Sequence, residues 1–178
     1  RGDARETVEG KDKMIYHAPR ATDQGADGNN LTLARLIGLE SIQTLDQGVI
    51  GLIDLSLKEL IERCQRVLEL NVVPYWGDLN ARVHKVALMV GPGFLPLYRH
   101  TWSQWFAEGC DTILTGELGR LPIALSSLRQ LKLVDLGHGA MAKPGMANLA
   151  YRLKSRLKAF ECDVQFLDDI YGMNYYTT

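Results

Sequence analysis

The chain has 178 residues, of which 46% are hydrophobic and 23% are charged, and its formal net charge is -1. These values indicate a globular protein of one domain or slightly more, and they argue against nucleic-acid binding through bulk charge, although a local basic patch is still compatible with them. No apolar run approaches the roughly 20 residues of a membrane-spanning helix.

Cysteine usage indicates the compartment. The chain has three cysteines, Cys64, Cys110 and Cys162. An odd number of cysteines without a CxxC pair disfavours a zinc site and a disulfide framework. We therefore expect an intracellular, reducing location, either the cytoplasm or the mitochondrial matrix.

The first part of the chain divides into a lead-in and an incomplete α/β half. Residues 1–13 are polar and without period, so we predict a flexible lead-in, followed by a truncated first half at 14–80. Ser56 and Glu59 have the spacing of a capping box and predict the start of a helix. The predicted elements are strands at 13–16, 49–55 and 72–76, a loop at 17–30, and helices at 31–37 and 56–70.

The second half, residues 81–178, alternates strands with helices and ends in an aromatic tail, IYGMNYYTT. Strand-helix-strand units in series predict a mainly parallel sheet with flanking helices, an α/β fold. The predicted strands are 83–90, 111–114, 132–136 and 163–167, and the predicted helices are 95–107, one ending near residue 130, and one from Pro144 to Phe160.

Three turns at the carboxyl ends of strands are candidate site segments, because ligands of open α/β sheets bind there. They are Gly91-Pro92-Gly93, Thr115-Gly116-Glu117 and Gly137-His138. Gly91 and Gly93 could cradle a phosphate, but Pro92 has no N–H, which favours a tight packing turn. Glu117 is either a carboxylate placed favourably in the first turn of a helix or a base near a bound metal.

The last predicted helix combines apolar and basic residues. Its apolar side chains recur at helical spacing, and its cations flank them as a solvated face would, which we favour over phosphate contact. The apolar stripe is Leu149, Leu153, Leu157 and Phe160, and the flanking cations are Arg152, Lys154, Arg156 and Lys158.

Segments along most of the chain, from about Met14 to Asp168, resemble the Nif-three-like family, also called the GTP cyclohydrolase 1 type 2 family. The TG-acid and Gly-His steps occur in the family's order and spacing. The segments that carry the resemblance are IYHAPRATDQGADGNNLTLARLIGL, VALMVGPG, CDTILTGELGRLPIALSSL and LKLVDLGHGAMAKPGMANLAYRL.

The resemblance implies two similar α/β halves, a toroidal hexamer and a two-metal site that activates a bridging water for hydrolysis. The family's ligands are a histidine pair, an aspartate, and a histidine and glutamate four residues apart. His138 matches the histidine of the last pair, but Ala142 occupies the glutamate position. Asp23 matches the aspartate, and His17 matches a nearby histidine that is not a usual ligand. The histidine pair would lie before Arg1.

We therefore interpret the chain as a non-catalytic family member that acts as a structural or assembly subunit. Its expected partners are other protein subunits, through self-association or in a larger complex such as a ribonucleoprotein, with no membrane and no strong sign of direct nucleic-acid binding. Its expected cofactor is none, or one divalent metal held weakly by His138, Asp23 and His17. The alternatives are a two-metal hydrolase of a nucleotide or another phosphate-bearing small molecule, and a nucleotide- or phosphate-binding protein without turnover.

Overall fold

The computed structural model describes residues 22, 23, 25–93 and 99–167. One six-stranded sheet with the order β1-β2-β4-β5-β6-β3 carries helices on its faces. The strands are β1 Glu40–Thr44, β2 Val49–Ser56, β3 Tyr75–Trp76, β4 Arg82–Met89, β5 Thr112–Thr115 and β6 Lys132–Asp135. The helices are α1 Asn29–Ile37, α2 Leu57–Leu68, α3 Arg99–Ala107, α4 Arg120–Arg129 and α5 His138–Leu157, which a 3-10 turn, Lys158–Phe160, extends.

The predicted α/β fold with flanking helices is confirmed, but the sheet is mixed. Only β4–β5 and β5–β6 are parallel, whereas β1–β2, β2–β4 and β3–β6 are antiparallel. A short turn joins β1 to β2, with Leu45 N–H donating to Gly48 O at 3.1 Å, and so short a connection reverses the chain. Strands from the predicted first half (14–80) and second half (81–178) share this sheet; the division into halves stays a prediction.

One strand was not predicted, two expectations differ from the structure, and two lie outside the described residues. β1 was not predicted, since its residues are exposed except for Ile42 and give no hydrophobic pattern. Residues 163–167, predicted as a strand, have no regular structure. α5 begins at His138 rather than Pro144, which lies inside the helix. The strand predicted at 13–16 and the aromatic tail fall outside the described residues.

The core lies on both faces of the sheet. Ile113 and Leu133 belong to the cluster around Trp105 of α3, whereas their neighbours Leu114 and Val134 belong to the larger cluster beneath α1 and α2. Successive strand residues point to opposite faces, so strands buried on both faces read as continuous apolar runs. Trp105 and Trp102 are both buried in this core.

Local sequence signals account for α2. The Ser56 hydroxyl accepts from Glu59 N–H at 3.2 Å, and the Glu59 carboxylate accepts from Ser56 N–H at 2.7 Å, which confirms the predicted capping box. The Ser56 hydroxyl also donates to the Glu59 carboxylate at 2.7 Å, and this bond together with the one from Ser56 N–H holds the pKa of Glu59 below its usual value.

The cysteines are separate from one another. Burial raises the pKa of the Cys64 thiol to about 12 and that of the Cys110 thiol to about 11, and the two side chains lie in different core clusters. Cys162 is exposed, and all three are free. Two thiols that stay protonated and buried are packing residues rather than nucleophiles.

The described part of the chain contains no helix that is both long and apolar enough to cross a membrane.

Candidate functional site

The three predicted turns meet at the carboxyl edge of the parallel strands. Gly116 N–H donates to Gly91 O at 3.0 Å, which joins the turns after β4 and β5. A Cβ on Gly116 would lie 2.7 Å from the Cα of His138, so the turn after β6 packs directly on the turn after β5. The three turns therefore lie together at one edge of the sheet, and only glycine fits at position 116 without moving the backbone.

His138 and Glu117 form the polar centre of this edge. The His138 Nδ1 atom lies 3.2 Å from Glu117 Oε1, and the two side chains are 52% and 54% exposed. Glu117 lies in the loop before α4 rather than in the first turn of that helix, where the sequence placed it. Its carboxylate therefore faces an imidazole at the start of α5 instead of interacting with the dipole of its own helix.

The absence of a side chain at Gly91 leaves room for the imidazole of His138. A Cβ at this position would lie 3.1 Å from both Cε1 and Nε2 of His138, and Gly91 has φ +96. Both the close approach and the left-handed backbone favour glycine here. The ring edge that is not turned to Glu117 thus lies against the backbone of the Gly91-Pro92-Gly93 turn.

The Gly93 N–H and the Gly91 carbonyl of this turn are used within the fold. Gly93 N–H donates to Gly91 O at 2.9 Å and also contacts the Thr115 hydroxyl at 3.3 Å, while the Thr115 hydroxyl donates to Gly91 O at 2.9 Å. Pro92 contributes no N–H. This geometry supports a packing turn, and phosphate binding at Gly91 and Gly93 stays a prediction.

Asp135 is a positioning residue that the sequence analysis missed. Its Oδ2 accepts from Leu118 N–H at 2.9 Å and its Oδ1 accepts from Gly137 N–H at 3.0 Å. One carboxylate therefore fixes the loop that carries Glu117 and the turn that leads to His138. An acidic residue at the end of a strand, just before Gly-His, is the signal that could have revealed it.

Asn29 and Asn30 of the Gly-Asn-Asn segment hold Asp23 in place by hydrogen bonds. Asp23 Oδ1 accepts from Asn29 Nδ2 at 2.9 Å, and its backbone carbonyl accepts from Asn30 Nδ2 at 2.8 Å. The buried Asn30 in turn accepts from Val90 N–H at 2.7 Å, next to Gly91. These bonds anchor the Asp23 segment at the end of β4 and engage its carboxylate with Asn29.

The described residues do not fit the two-metal centre that the resemblance implies. Among them, no three His, Cys, Asp or Glu side chains form a group that could hold a metal ion, so Asp23, Glu117 and His138 are not assembled into one. Ala142, one helical turn after His138, packs partly buried against the apolar core. His17, the remaining predicted ligand, lies outside the described residues.

Comparison with known proteins identifies the family. The model of the family Duf34/NIF3 (NGG1p interacting factor 3) matches residues 7–170. The chain belongs to the Duf34/NIF3 family. A GTP cyclohydrolase 1 type 2 homolog of Methanothermobacter thermautotrophicus is 32% identical over 182 residues, covering 90% of this chain and 73% of that protein. A second GTP cyclohydrolase 1 type 2 homolog, from Nostoc sp., is 30% identical over 155 residues, covering 79% of this chain and 56% of that protein.

Solved structures of similar fold agree with this membership. Reduced HcgD from Methanocaldococcus jannaschii aligns with a TM-score of 0.70 and 23% identity, covering 85% of this chain and 61% of that chain. A Bacillus cereus protein related to NIF3 aligns with a TM-score of 0.61 and 22% identity, covering 76% of this chain and 37% of that chain. At these identities the likeness concerns the fold. This Duf34/NIF3 chain thus spans only part of the length of the proteins that it matches.

Proposed function

We propose that this Duf34/NIF3 chain is a non-catalytic member of its family that acts as a structural or assembly subunit through protein contacts. The observation that carries the proposal is the composition of the carboxyl edge. At this edge His138 contacts Glu117. One helical turn after His138 the side chain is only the methyl group of Ala142, which packs against the core. A methyl group offers no electron pair to a cation, so this edge has lost a ligand at its centre.

Exposed apolar side chains support the protein-contact part of the proposal. On α5 and the 3-10 turn that extends it, Leu153 is 39% exposed and Phe160 is 73% exposed. Large apolar side chains exposed on one helix face are typical of a surface that a partner covers.

The first test is metal content together with the restored ligand. Purified without chelators, the wild-type protein is expected to hold well below about two divalent ions per chain by elemental analysis. Ala142→Glu places a carboxylate one turn from His138, and residues four apart on a helix are neighbours. We therefore expect the variant to bind Zn²⁺ or Mn²⁺ at least about tenfold more tightly in calorimetric titrations.

Ala142→Gln is the matched control, because it has the same shape and lacks the charge of a carboxylate ligand. It should leave metal affinity at the wild-type level, which separates coordination from a change in packing. Wild-type protein that carries about two ions per chain at high affinity would overturn the proposal.

The contact between His138 and Glu117 favours a second candidate, the metal-dependent hydrolase of a nucleotide or another phosphate-bearing molecule. Metal-ligating histidines usually donate their other ring N–H to a carboxylate, and Glu117 is placed to orient His138 in this way. A bound divalent metal would supply an activated water. His17, or residues beyond the described ones, would have to complete the ligand set. Metal-dependent hydrolysis of nucleoside triphosphates that Glu117→Gln weakens, with an unchanged melting temperature, would establish this candidate instead.

A further inference from the structure

The two halves of α5 differ in burial. Of its 20 residues only Met141 and Gly145 are fully buried, and both lie in the first half of the helix, where α5 packs on α1. From Tyr151 onward most residues are exposed, including Phe160 in the 3-10 turn that extends the helix. The second half of α5 therefore presents a long surface that the described part of the chain leaves largely uncovered.

An apolar stripe runs along the second half of α5. Leu149, Leu153 and Leu157 are four residues apart and Phe160 follows after three, so they line one face of the helix. The sequence predicts this stripe, and the described residues cover only its beginning. Leu149 lines a cavity of about 240 Å³ between α5 and the 25–29 loop, whereas Leu153 is 39% exposed and Phe160 is 73% exposed. We call Leu153, Leu157 and Phe160 the terminal stripe.

Cations border the terminal stripe on both sides. At 100° per residue, Arg152 and Arg156 fall on one flank, and Lys154 and Lys158 fall on the other. Residues 150–160 contain these four cations and no Asp or Glu. Arg152 pairs with Asp27 at 2.5 Å, and within the described ranges no ion pair involves the other three.

We propose that the terminal stripe docks into an apolar groove of a different protein, and that carboxylates on the rim of that groove meet Lys154, Arg156 and Lys158. This inference rests on the proposed assembly function and names its surface and the chemistry of its partner. A helix that inserts a line of apolar anchors into a groove, with its charges at the rim, is a recurring mode of recognition. Burial of each anchor stabilises the complex, and complementary charge speeds and orients the encounter.

Other occupants fit these observations less well. Pairing of α5 with α5 of a second copy would bring two cationic borders together, and like charges across an interface are unfavourable. RNA would neutralise the cations but leave the apolar stripe without apolar partners. The two cationic borders confine the apolar face to a width of about one side chain, whereas a helix that lies on a membrane buries a broad apolar face.

The test is site-specific photo-crosslinking with p-benzoylphenylalanine in place of Leu153, added to an extract of the source cells. We expect one predominant crosslinked protein, in which the linked peptide contains apolar residues beside Asp or Glu. Raising NaCl from about 0.1 to about 0.5 M should lower the yield by about tenfold, because exposed charge pairs are screened. The same probe at Leu36, an apolar residue of α1 that is 52% exposed, should not capture this protein.

Charge reversal supplies the matched comparison. Lys154→Glu/Lys158→Glu should lower the crosslink at position 153 by about tenfold, whereas Lys58→Glu/Arg99→Glu, two equal reversals at exposed cations elsewhere, should leave it unchanged. Both variants should retain the wild-type circular dichroism spectrum and melting temperature, since all four positions are exposed.

Several results would overturn the inference. They are a crosslink to residues 1–21 or 168–178 of the same chain, a crosslink to a second copy, a crosslink to RNA, binding to vesicles that contain phosphatidylserine, and no crosslink at all. Metal content of the same preparation separates this inference from the proposed function. A metal-poor protein without the crosslink contradicts only the surface assigned here, whereas a protein with about two ions per chain contradicts the non-catalytic role itself.

Discussion

Gly145→Ala is expected to lower the free energy of unfolding by about 3 kcal/mol, because two helix backbones meet at this position. A Cβ on Gly145 would lie 2.0 Å from Asn29 Oδ1 and 2.7 Å from Asn29 Cα. The side-chain contact could relax, but the contact with Cα requires α1 and α5 to separate. Separation would also strain the bonds of Asn29 and Asn30 that hold the Asp23 segment. Urea denaturation followed by circular dichroism measures the loss.

Gly139→Ala in the same helix is the control. Nothing lies within 4 Å of a Cβ at this exposed position. Alanine has a higher helix propensity than glycine, so this variant should be more stable than wild type by about 0.5–1 kcal/mol. Equal effects of the two substitutions would show that the Asn29–Gly145 contact does not limit the approach of the helices.

Asp111→Asn is expected to cost about 2 kcal/mol, less than the loss of a fully buried ion pair, because the Asp111 side chain is 28% exposed. The Asp111 carboxylate accepts from the backbone N–H groups of His84 and Lys85 at 2.9 and 3.2 Å and lies 3.2 Å from the Lys132 ammonium. It thereby links β4 and β6 at the start of β5. An amide would turn its NH₂ group either to the nearly buried Lys132 ammonium or to the two N–H donors.

The same network predicts an acid dependence. Burial alone would raise the pKa of Asp111, but hydrogen bonds from Thr112, His84 and Lys85 and the charge of Lys132 outweigh it and hold the pKa below its usual value. A carboxyl group with a lowered folded-state pKa stabilises the fold above the unfolded-state value, about pH 4, and this stability is lost as the pH falls through the folded-state value. The difference in stability between wild type and Asp111→Asn should therefore shrink below about pH 4.

Asp54→Asn is the matched control for this prediction. The Asp54 carboxylate also pairs with a cation, Arg82, but it is 69% exposed. Exposed ion pairs contribute little, so the substitution should change stability by less than about 1 kcal/mol. A comparable loss at Asp54 and Asp111 would mean that the charge network at the start of β5 has no special role.

The candidate site was predictable where its parts are local. Gly91, Glu117 and His138 each follow an apolar strand, and the rule that parallel strands present their carboxyl ends at one edge brings them together. The partner of His138 was less evident, because Glu117 is 21 residues distant and lies in a loop rather than in a helix. Asp135 was missed since its role, holding two loops through backbone N–H groups, follows from the three-dimensional arrangement.

The sequence by itself determined the α/β class, the capping box of α2, the buried strands β4, β5 and β6, and the family. These features depend on side-chain period and short motifs, which act over one element or one turn. Tertiary structure decided the antiparallel side of the sheet and the bond from Val90 to Asn30, which spans 60 residues. It also decided how far the apolar stripe of α5 is covered. The stripe has the same period whether or not a neighbour packs on it. Within the described residues, α5 packs on α1 and Leu149 lines the cavity beside the 25–29 loop, whereas Phe160 is exposed.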